Sequence, residues 1–370
     1  MAKTTLQTIA NRLGVSRMTV SNAFSRPDQL SAELRQRILE TAAALGYVGP
    51  DPAARALARG TTGAVGVLLT DSLAVAFADE VATTMLRAVV EELAPSGLAL
   101  TLLTTSDDGL ASDRNGAGEH PVPARDVAID GAIVYSCKPE SPARDWLLRR
   151  ELPLVLVDQD PLTGISSVNV DDRGGAAAAA ELILGLGHRH VGLLTVTVDG
   201  RPGLVLDPQA EPLGHPQRER LDGWLGALGA AGVTPTVVQV DHEAMHAGST
   251  AALEGPVARA LDVLLEVDPG ITAVLCFSDA LAVAVISAAE QLGRRVPDDL
   301  SVVGFDDSPL AAAARPRLTT VRQDSAAKGR LAAQELLNTI ERARGQPARG
   351  GKATGPRRAK RHVLPTELVV

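Results

Sequence analysis

The stretch TLQTIANRLGVSRMTVSNAFSRPDQLSAELRQRILETAAALGYVGPDPAARALARG, residues 5–60, decides how this chain is read. Its opening, LQTIANRLG, sets Leu6, Ile9, Ala10 and Leu13 at helical spacing and stops at Gly14, which takes the left-handed backbone that ends helices without steric cost. Ser16 stands where a hydroxyl caps the first NH groups of a second helix, RMTVSNAF, with Val20 and Phe24 turned inward. That leaves Arg17, Met18, Thr19, Ser21 and Asn22 facing outward. Arg, Asn and hydroxyls presented from the first turns of a short second helix suit the major groove, whose base edges offer donors, acceptors and thymine methyls. A third helix runs from capping Ser31 through Ile38 and Leu39 to Leu45, with Gly46 as its stop. Pro50 to Arg59 follows as a small, separately coded helix.

The same pattern also fits a three-helix packing module with no nucleic-acid role. Charge separates the two. Residues 1–60 hold eight Lys plus Arg against four Asp plus Glu, a balance of +4 on a chain of net charge −8. A basic head on an acidic protein is the electrostatic footprint of phosphate contact. The short helix could be an alanine-rich linker, yet about eight residues is below the length that is stable alone in water, so its order has to come from a partner helix and DNA.

The 370 residues, 45% of them hydrophobic, leave room for a large body behind this head. Cys137 and Cys276 sit in apolar, strand-like runs with no metal-ligand spacing and read as buried thiols in a reducing compartment. No signal segment and no membrane-length apolar run is legible, so a cytoplasmic location is expected. From Gly63, strands such as AVGVLLT, LPLVLVD, HVGLLTV and LSVVGFD alternate with helices such as VATTMLRAVVEELAPSG, GGAAAAAELILGLG and ALAVAVISAAEQLG. Continuous apolar strands alternating with helices predict parallel sheets covered on both faces, here two of them. Ligands bind at the carboxyl ends of such strands, which makes Asp71, Tyr135, Asp158, Ser278, Asp279 and Asp306 candidates. Asp279 and Asp172 read better as helix caps. Arg220, at the head of the RLDGW helix, can fork onto a carboxylate, a phosphate or sugar hydroxyls.

Residues 5–60 resemble, almost without gaps, the DNA-binding head of the LacI/GalR family of bacterial transcriptional regulators. The resemblance extends through DGAIVYS, LPLVLVDQD, VNVDDRGGAAAAAELILGLGHRHVGLL, RLDGWLGAL, CFSDALAVAVISAAEQLGRRVPDDLSVVGFDDS, LTTVRQD and VLPTELVV to that family's periplasmic-binding-protein-like effector domain. It implies a helix-turn-helix domain over residues 1–49, a hinge helix and linker over 50–62, and an effector-binding and dimerisation domain over 63–370. Within the last, one α/β subdomain is expected at about 63–160 and 323–345. The other is expected at 161–321 and 363–370, with crossings near Asp160, Gln323 and Val363.

On the same resemblance Arg17, Met18 and Asn22 read bases, while Ser16, Thr19 and Ser21 contact phosphate. The position of Asn22 is commonly Arg in the family; Asn pairs with adenine, whereas Arg favours guanine. Thr5, Leu6, Ala54 and Leu57 complete the implied DNA contacts, with Leu57 as an apolar wedge in the minor groove and Ala53 and Ala54 letting two hinge helices approach. The implied effector contacts are Asp71, Phe77, Tyr135, Asp158, Arg220, Ser278 and Asp306. Phe77, Tyr135, Trp224 and Phe277 are the plausible cleft aromatics, few for a sugar site, so a sugar and a related metabolite both stay open.

Two segments stand apart. Asp199 to Glu219 is long and rich in Pro, a lid or a surface decoration. Residues 341–362 hold eight Lys plus Arg and one Glu, a flexible basic insertion that is a linker or a second DNA contact. Taking the head and this segment from the total leaves −19 for the remainder, which confines DNA to the head.

The expected function is that of a dimeric repressor binding a pseudo-palindromic operator, its affinity altered by a small-molecule effector. The alternative is a cytoplasmic solute-binding protein without a regulatory role. An enzyme is not expected: no phosphate-binding glycine loop, serine elbow or metal spacing is present, and His188 and His190 read as a surface turn. No cofactor, metal or membrane partner is expected, nor any heptad run that would build a tetramer.

Overall fold

A computed structural model of the chain describes residues 4–49, 51, 56, 60–69, 73–104, 123–136, 141–197, 201–241, 250–344 and 359–370. The chain divides into two compact units, Met1–Gly63 and Ala64–Val370.

In the first unit α1 (Leu6–Leu13) begins at Thr5, whose Oγ1 accepts from Thr8 N while Thr8 Oγ1 accepts from Thr5 N. It ends at Gly14, φ 68°. Helix α2 (Arg17–Ser25) begins at Ser16, whose Oγ accepts from Thr19 N at 3.0 Å. A 3-10 turn over Pro27–Gln29 leads to α3 (Ala32–Ala44), capped by Ser31. Each such cap contributes about 1 kcal/mol. Ile9, Ala10, Val20, Ala23, Ile38 and Ala42 form the core. Phe24, expected to point inward, is half-buried and meets Tyr47 edge-on at 5.7 Å, so Ala23 takes the inner place beside Val20.

The second unit runs β1 (Ala64–Leu69), α4 (Leu73–Ala78), α5 (Glu80–Leu93), β2 (Ala99–Thr104), α6 (Pro123–Asp126), β3 (Ala132–Tyr135), α7 (Pro142–Arg149), β4 (Leu154–Val157) and β5 (Ser166–Val170). It continues α8 (Asp172–Gly185), β6 (Val191–Thr197), β7 (Gly203–Val205), α9 (His215–Ala230), β8 (Thr236–Asp241), α10 (Thr250–Val267), β9 (Ala273–Cys276) and α11 (Asp279–Gln291). It closes with β10 (Ser301–Val303), α12 (Pro309–Ala313), β11 (Thr320–Gln323), α13 (Ser325–Arg344), β12 (Arg361–Leu364) and β13 (Thr366–Val369).

One sheet has the order β12-β5-β4-β3-β1-β2, all parallel. A second has the order β10-β9-β6-β8-β7, parallel except for the β7 edge. Both faces of each are covered, as continuous apolar strands require. On the first, α5 and α13 supply Met85, Val89, Leu336 and Ile340 to one side, and Ile129 and Leu147 pack on the other. On the second, Leu261 and Val285 lie on one side and Ile183 and Trp224 on the other. β11 and β13 pair antiparallel, Thr320 opposite Val369 and Gln323 opposite Thr366.

The subdomain boundaries differ from those expected. The first crossing lies at Asp171 rather than near Asp160, because SSVNV is a strand: β5 joins β4 with Val157 opposite Val168. Its polar residues hid it, yet all five are buried. Two of these side chains are satisfied within the fold, Ser166 Oγ accepting from Lys360 N and Asn169 bonding the backbone of Gln159 through both amide atoms. The last crossing lies at Pro365 rather than Val363. Pro365 splits the expected final strand in two, β12 adding to the first sheet beside β5 and β13 pairing with β11. The crossings are bonded side by side, Asp171 N to Leu364 O at 2.8 Å and Thr366 Oγ1 to Asp171 O at 3.0 Å.

The segment 199–219 is not structureless where it is described. It carries β7, which extends the second sheet from β8, and α9 starts at His215 with Pro216 in its first turn. Arg220 therefore sits inside a helix rather than at its head. Where it is described, the basic segment 341–362 belongs to regular elements: α13 runs to Arg344, and β12 begins at Arg361. Arg344 pairs with Asp130 and Lys360 with Glu335, so some of its charge belongs to the fold.

Candidate functional site

Two places bring candidate polar side chains together. In the head, the start of α2 exposes Ser16, Arg17 and Met18, the last 69% exposed despite being apolar. Ser16 Oγ also lies 2.8 Å from Thr19 Oγ1. One turn on, Ser21 and Asn22 are half-buried, and Asn22 Nδ2 donates to Gln29 Oε1 at 3.1 Å. Thr5 is exposed as a cap, while Leu6 packs partly against the head core. Ala53, Ala54 and Leu57 lie outside the described residues.

The second place is the cleft between the two large sheets. The first sheet delivers Tyr135 from the end of β3 and Asp158 from just beyond β4, Asp158 with φ 52°. Asp79 caps α5, its Oδ1 accepting from Val81 N at 2.8 Å. Lys328 on α13 is 1% exposed; its Nζ donates to Asp158 Oδ2 at 2.5 Å and to Gln323 Oε1 at 2.9 Å. The second sheet delivers Phe277 beyond β9 and Phe305 and Asp306 beyond β10. Arg220 from α9 lies over both rings, 3.6 Å from the centroid of Phe305 and 4.5 Å from that of Phe277.

Arg220 also donates from Nε to Asp172 Oδ1 at 2.8 Å and from Nη1 to Phe277 O at 2.5 Å, with Asp306 Oδ1 3.3 Å from Nη1. Gln323 Nε2 donates to Asp306 Oδ1 at 2.6 Å. The result is one connected run of polar side chains, Asp172, Arg220, Asp306, Gln323, Lys328 and Asp158, that spans the two sheets by way of β11. Beside it a groove of about 260 Å³ is lined by Glu80, Thr84, Asp306, Ser308, Gln323 and Ser325.

Electrostatics follow from burial. Burial pushes Asp306 up to about 8 against the pull of Arg220, with Asp279 and Asp79 adding to the rise. Burial likewise raises Asp79 and Asp172, and lifts Asp279 to about 6. The phenol of Tyr135 is raised by burial and then by Asp79, Asp158 and Asp306. For Arg220 burial alone would lower the value, but Asp172 and Asp306 outweigh it and the guanidinium is raised. Perturbed groups gathered in a cleft make it a candidate functional site.

Of the expected effector contacts, Tyr135, Asp158, Arg220 and Asp306 meet in this cleft. Asp71 lies outside the described residues, as does Cys137. Phe77 is 58% exposed on α4. Ser278 acts as the cap of α11, its Oγ accepting from Leu281 N at 3.3 Å, which is the part expected of Asp279. Asp279 instead accepts from Thr320 Oγ1 and Ser308 N, because its carboxylate turns toward the crossing segment. Asp172 is also no cap: Asp171 accepts from Gly174 N, freeing Asp172 to face Arg220. Trp224 is core rather than cleft.

Lys328, Asp79, Gln323 and Phe305 were not legible as site residues. Asp79 had a signal, an acid just before the helix EVATTMLRAVV. Lys328 had none, lying in a small-residue run, SAAKGRLAA. His188 and His190 part company, His188 Nδ1 meeting Thr272 Oγ1 at 2.8 Å and His190 Nδ1 meeting Asp268 at 2.9 Å. Among the described residues no group of three or more His, Cys, Asp or Glu could hold a metal ion, and no helix is long and apolar enough to cross a membrane.

Comparison with known proteins finds that residues 5–49 match the family described as bacterial regulatory proteins, lacI family, and residues 180–370 match a periplasmic binding protein-like domain. An HTH-type transcriptional regulator of Mycolicibacterium smegmatis is 39% identical over 346 residues, covering 91% of this chain and 90% of that protein. A LacI-family transcriptional regulator of Corynebacterium glutamicum superposes with a TM-score of 0.65 at 31% identity, covering 100% of this chain and 98% of the other. The regulator CelR in complex with cellobiose superposes with a TM-score of 0.64 at 27% identity, covering 100% and 99%.

Proposed function

This chain belongs to the LacI family of bacterial transcriptional regulators, and from that premise we propose that it is a dimeric repressor whose operator affinity is set by a small molecule in the cleft. The observation that carries the proposal is the connected run from Asp172 to Asp158. Its members come from both sheets and from the crossing strand β11, so a molecule that exchanges bonds with it favours one relative setting of the two sheets over another. A ligand that prefers one setting and DNA that prefers one setting are then coupled by linkage, with equal effect in each direction. Arg17, Met18 and Asn22 are proposed to read bases, with Ser16, Thr19 and Ser21 on phosphate, Thr5, Leu6 and Ala54 as further DNA contacts, and Leu57 as the minor-groove wedge. Tyr135, Asp158, Arg220 and Asp306 are proposed to hold the effector, and we take it to be bound rather than transformed. CelR, similar in fold and sequence, carries cellobiose in its structure, which supports a polar, hydroxyl-bearing effector. A DNA partner supports a cytoplasmic location, which is part of the same proposal.

The test selects bound fragments from random double-stranded DNA with the full chain. An inverted repeat of two half-sites supports the proposal; enrichment of no sequence, or of a single unrepeated half-site, defeats it. Operator affinity is then measured with and without compounds that raise the melting temperature of the protein.

A further inference from the structure

His215 opens α9, which packs on the second sheet, yet its ring reaches across to the first. Its Nδ1 lies 3.0 Å from Asp160 Oδ1, in the turn after β4, and its Nε2 lies 3.1 Å from Asn169 Nδ2 on β5. The side chain is 12% exposed. Its two neighbours fix what the ring must do. Burial would raise Asp160, but the hydrogen bond from His215 and the charge of Arg218 outweigh it and hold the carboxylate below its usual range. An ionised carboxylate only accepts, so Nδ1 carries a proton. Asn169 is pinned from its other side, its Oδ1 accepting from Gln159 N at 3.2 Å and its Nδ2 donating to Gln159 O at 2.9 Å. Those two bonds decide which amide atom faces the ring, and it is the NH2 group. Nε2 must therefore accept, and the ring bridges the two sheets as a neutral imidazole.

A second proton would enter on Nε2 and set N–H against N–H. Asn169 is buried and cannot turn its amide without losing both bonds to Gln159, so the contact with β5 is lost. On the other side the added charge gains little. Asp160 is half exposed and already accepts from Arg218 Nη2, whose own charge stands 3.4 Å from His215 Nδ1. Among the described residues these are the charged groups that face the ring, with Glu219 behind Arg218 at 4.0 Å and β5 contributing the uncharged Asn169. An exposed, shared ion pair returns less than a buried contact between two donors takes away.

We propose that His215 is a positioning residue that latches α9 to the first sheet only while its ring is neutral, so that acid releases the latch. Closing then expels a proton, and the latched fraction falls as pH falls through the range in which imidazoles titrate, about pH 5 to 8. The latch needs no effector. Its effect on DNA rests on the coupling proposed above.

Two measurements on the full chain test the latch. Nitrogen NMR of the histidine-labelled protein, with the His215 signals assigned by their loss in His215→Gln, is expected to show Nε2 without a proton at about pH 7.5. A proton on Nε2 at that pH overturns the proposal. Hydrogen exchange of residues 159–170 and 215–221 is then compared at about pH 7.5 and about pH 5.5, corrected for intrinsic exchange. Acid is expected to raise the open fraction about threefold to tenfold in the parent, as loss of one hydrogen bond implies. In His215→Gln, whose amide accepts from Asn169 and does not titrate, the rise is expected to stay below about twofold. A histidine that merely fills space would give parallel profiles in the two proteins. Parallel profiles, or no rise in the parent, overturn the proposal. His215→Asn, which also lacks a titrating ring, takes the same measurement should His215→Gln fail to fold. Affinity for the operator selected as above is expected to change by a similar factor between the two pH values in the parent alone. A latch that opens while operator affinity stays constant defeats the coupling and leaves the latch standing.

Discussion

Lys328 Nζ lies 2.5 Å from Asp158 Oδ2 although 170 residues separate them in the chain, and both side chains are buried. One comes from the helix that follows β11 and the other from the turn after β4. The contact therefore joins the part of the chain that returns from the second sheet to the sheet it left.

Removing one partner leaves an uncompensated buried charge. Lys328→Met is expected to destabilise the protein by about 3–5 kcal/mol, and Lys328→Met combined with Asp158→Leu to recover most of that loss. Urea unfolding followed by circular dichroism measures both. A double variant no more stable than the single one would show that the pair is not the source of the cost.

Asp306 supplies a pH dependence whose sign is fixed by its environment. Burial raises its folded value to about 8, whereas an unfolded aspartate titrates near 4. Between those values the folded protein holds a proton that the unfolded chain has released, so stability declines as pH rises through that window. Asp279, raised to about 6, acts in the same sense over the lower part. Melting temperature should therefore fall between pH 6 and 8, with the fall shallower in Asp306→Asn. Parallel curves for the two proteins would exclude Asp306 as the cause.

Asn22 is the position where operator preference should be adjustable. Asn pairs with adenine N6 and N7, and Arg with guanine O6 and N7, each good pair discriminating by about 1–3 kcal/mol. Asn22→Arg is expected to move the selected base from adenine to guanine at one symmetric pair of operator positions. Sequencing of DNA selected by each protein reads this directly, and identical selected sites would remove Asn22 from the base-reading set.

Gly329 permits the close approach of α13 to α5. In Gly329→Ala the new Cβ meets Met85 O and the Cβ of Ala88, 3.1 Å away. Backbone cannot yield as a flexible side chain does, so the helices must separate. A loss of about 1–3 kcal/mol is expected. Unchanged melting temperature would mean that the contact is loose in solution.

Much of the architecture was legible because it is coded locally. Thr5, Ser16 and Ser31 cap the helices they precede, and Gly14 ends the first. The apolar strands of both sheets stand where their Val and Leu runs lie. Strand β5 was not legible, because Ser166 and Asn169 are buried by bonds to Lys360 and Gln159 that only the assembled sheet supplies, and not by hydropathy. Strand β7 was hidden in a Pro-rich segment, since an edge strand of three residues leaves almost no periodic signal. In the cleft, carboxylates at strand ends stood out, but Asp279 and Asp172 each changed part with a neighbour one residue away. Either residue of such a pair can cap a helix, and only the direction of the chain as it enters the helix decides between them.

The sequence by itself determined the two modules, the helix boundaries of the head and the outward face of its second helix, because caps, stops and periodicity act within a few residues. The tertiary structure alone decided where the chain crosses between the sheets. It alone decided which cation meets which carboxylate: Arg220 with Asp172 and Asp306, and Lys328 with Asp158. Those partners lie 48 to 170 residues apart, and Gly329 beside Lys328 lets α13 approach α5, with Met85 O where a Cβ would otherwise stand.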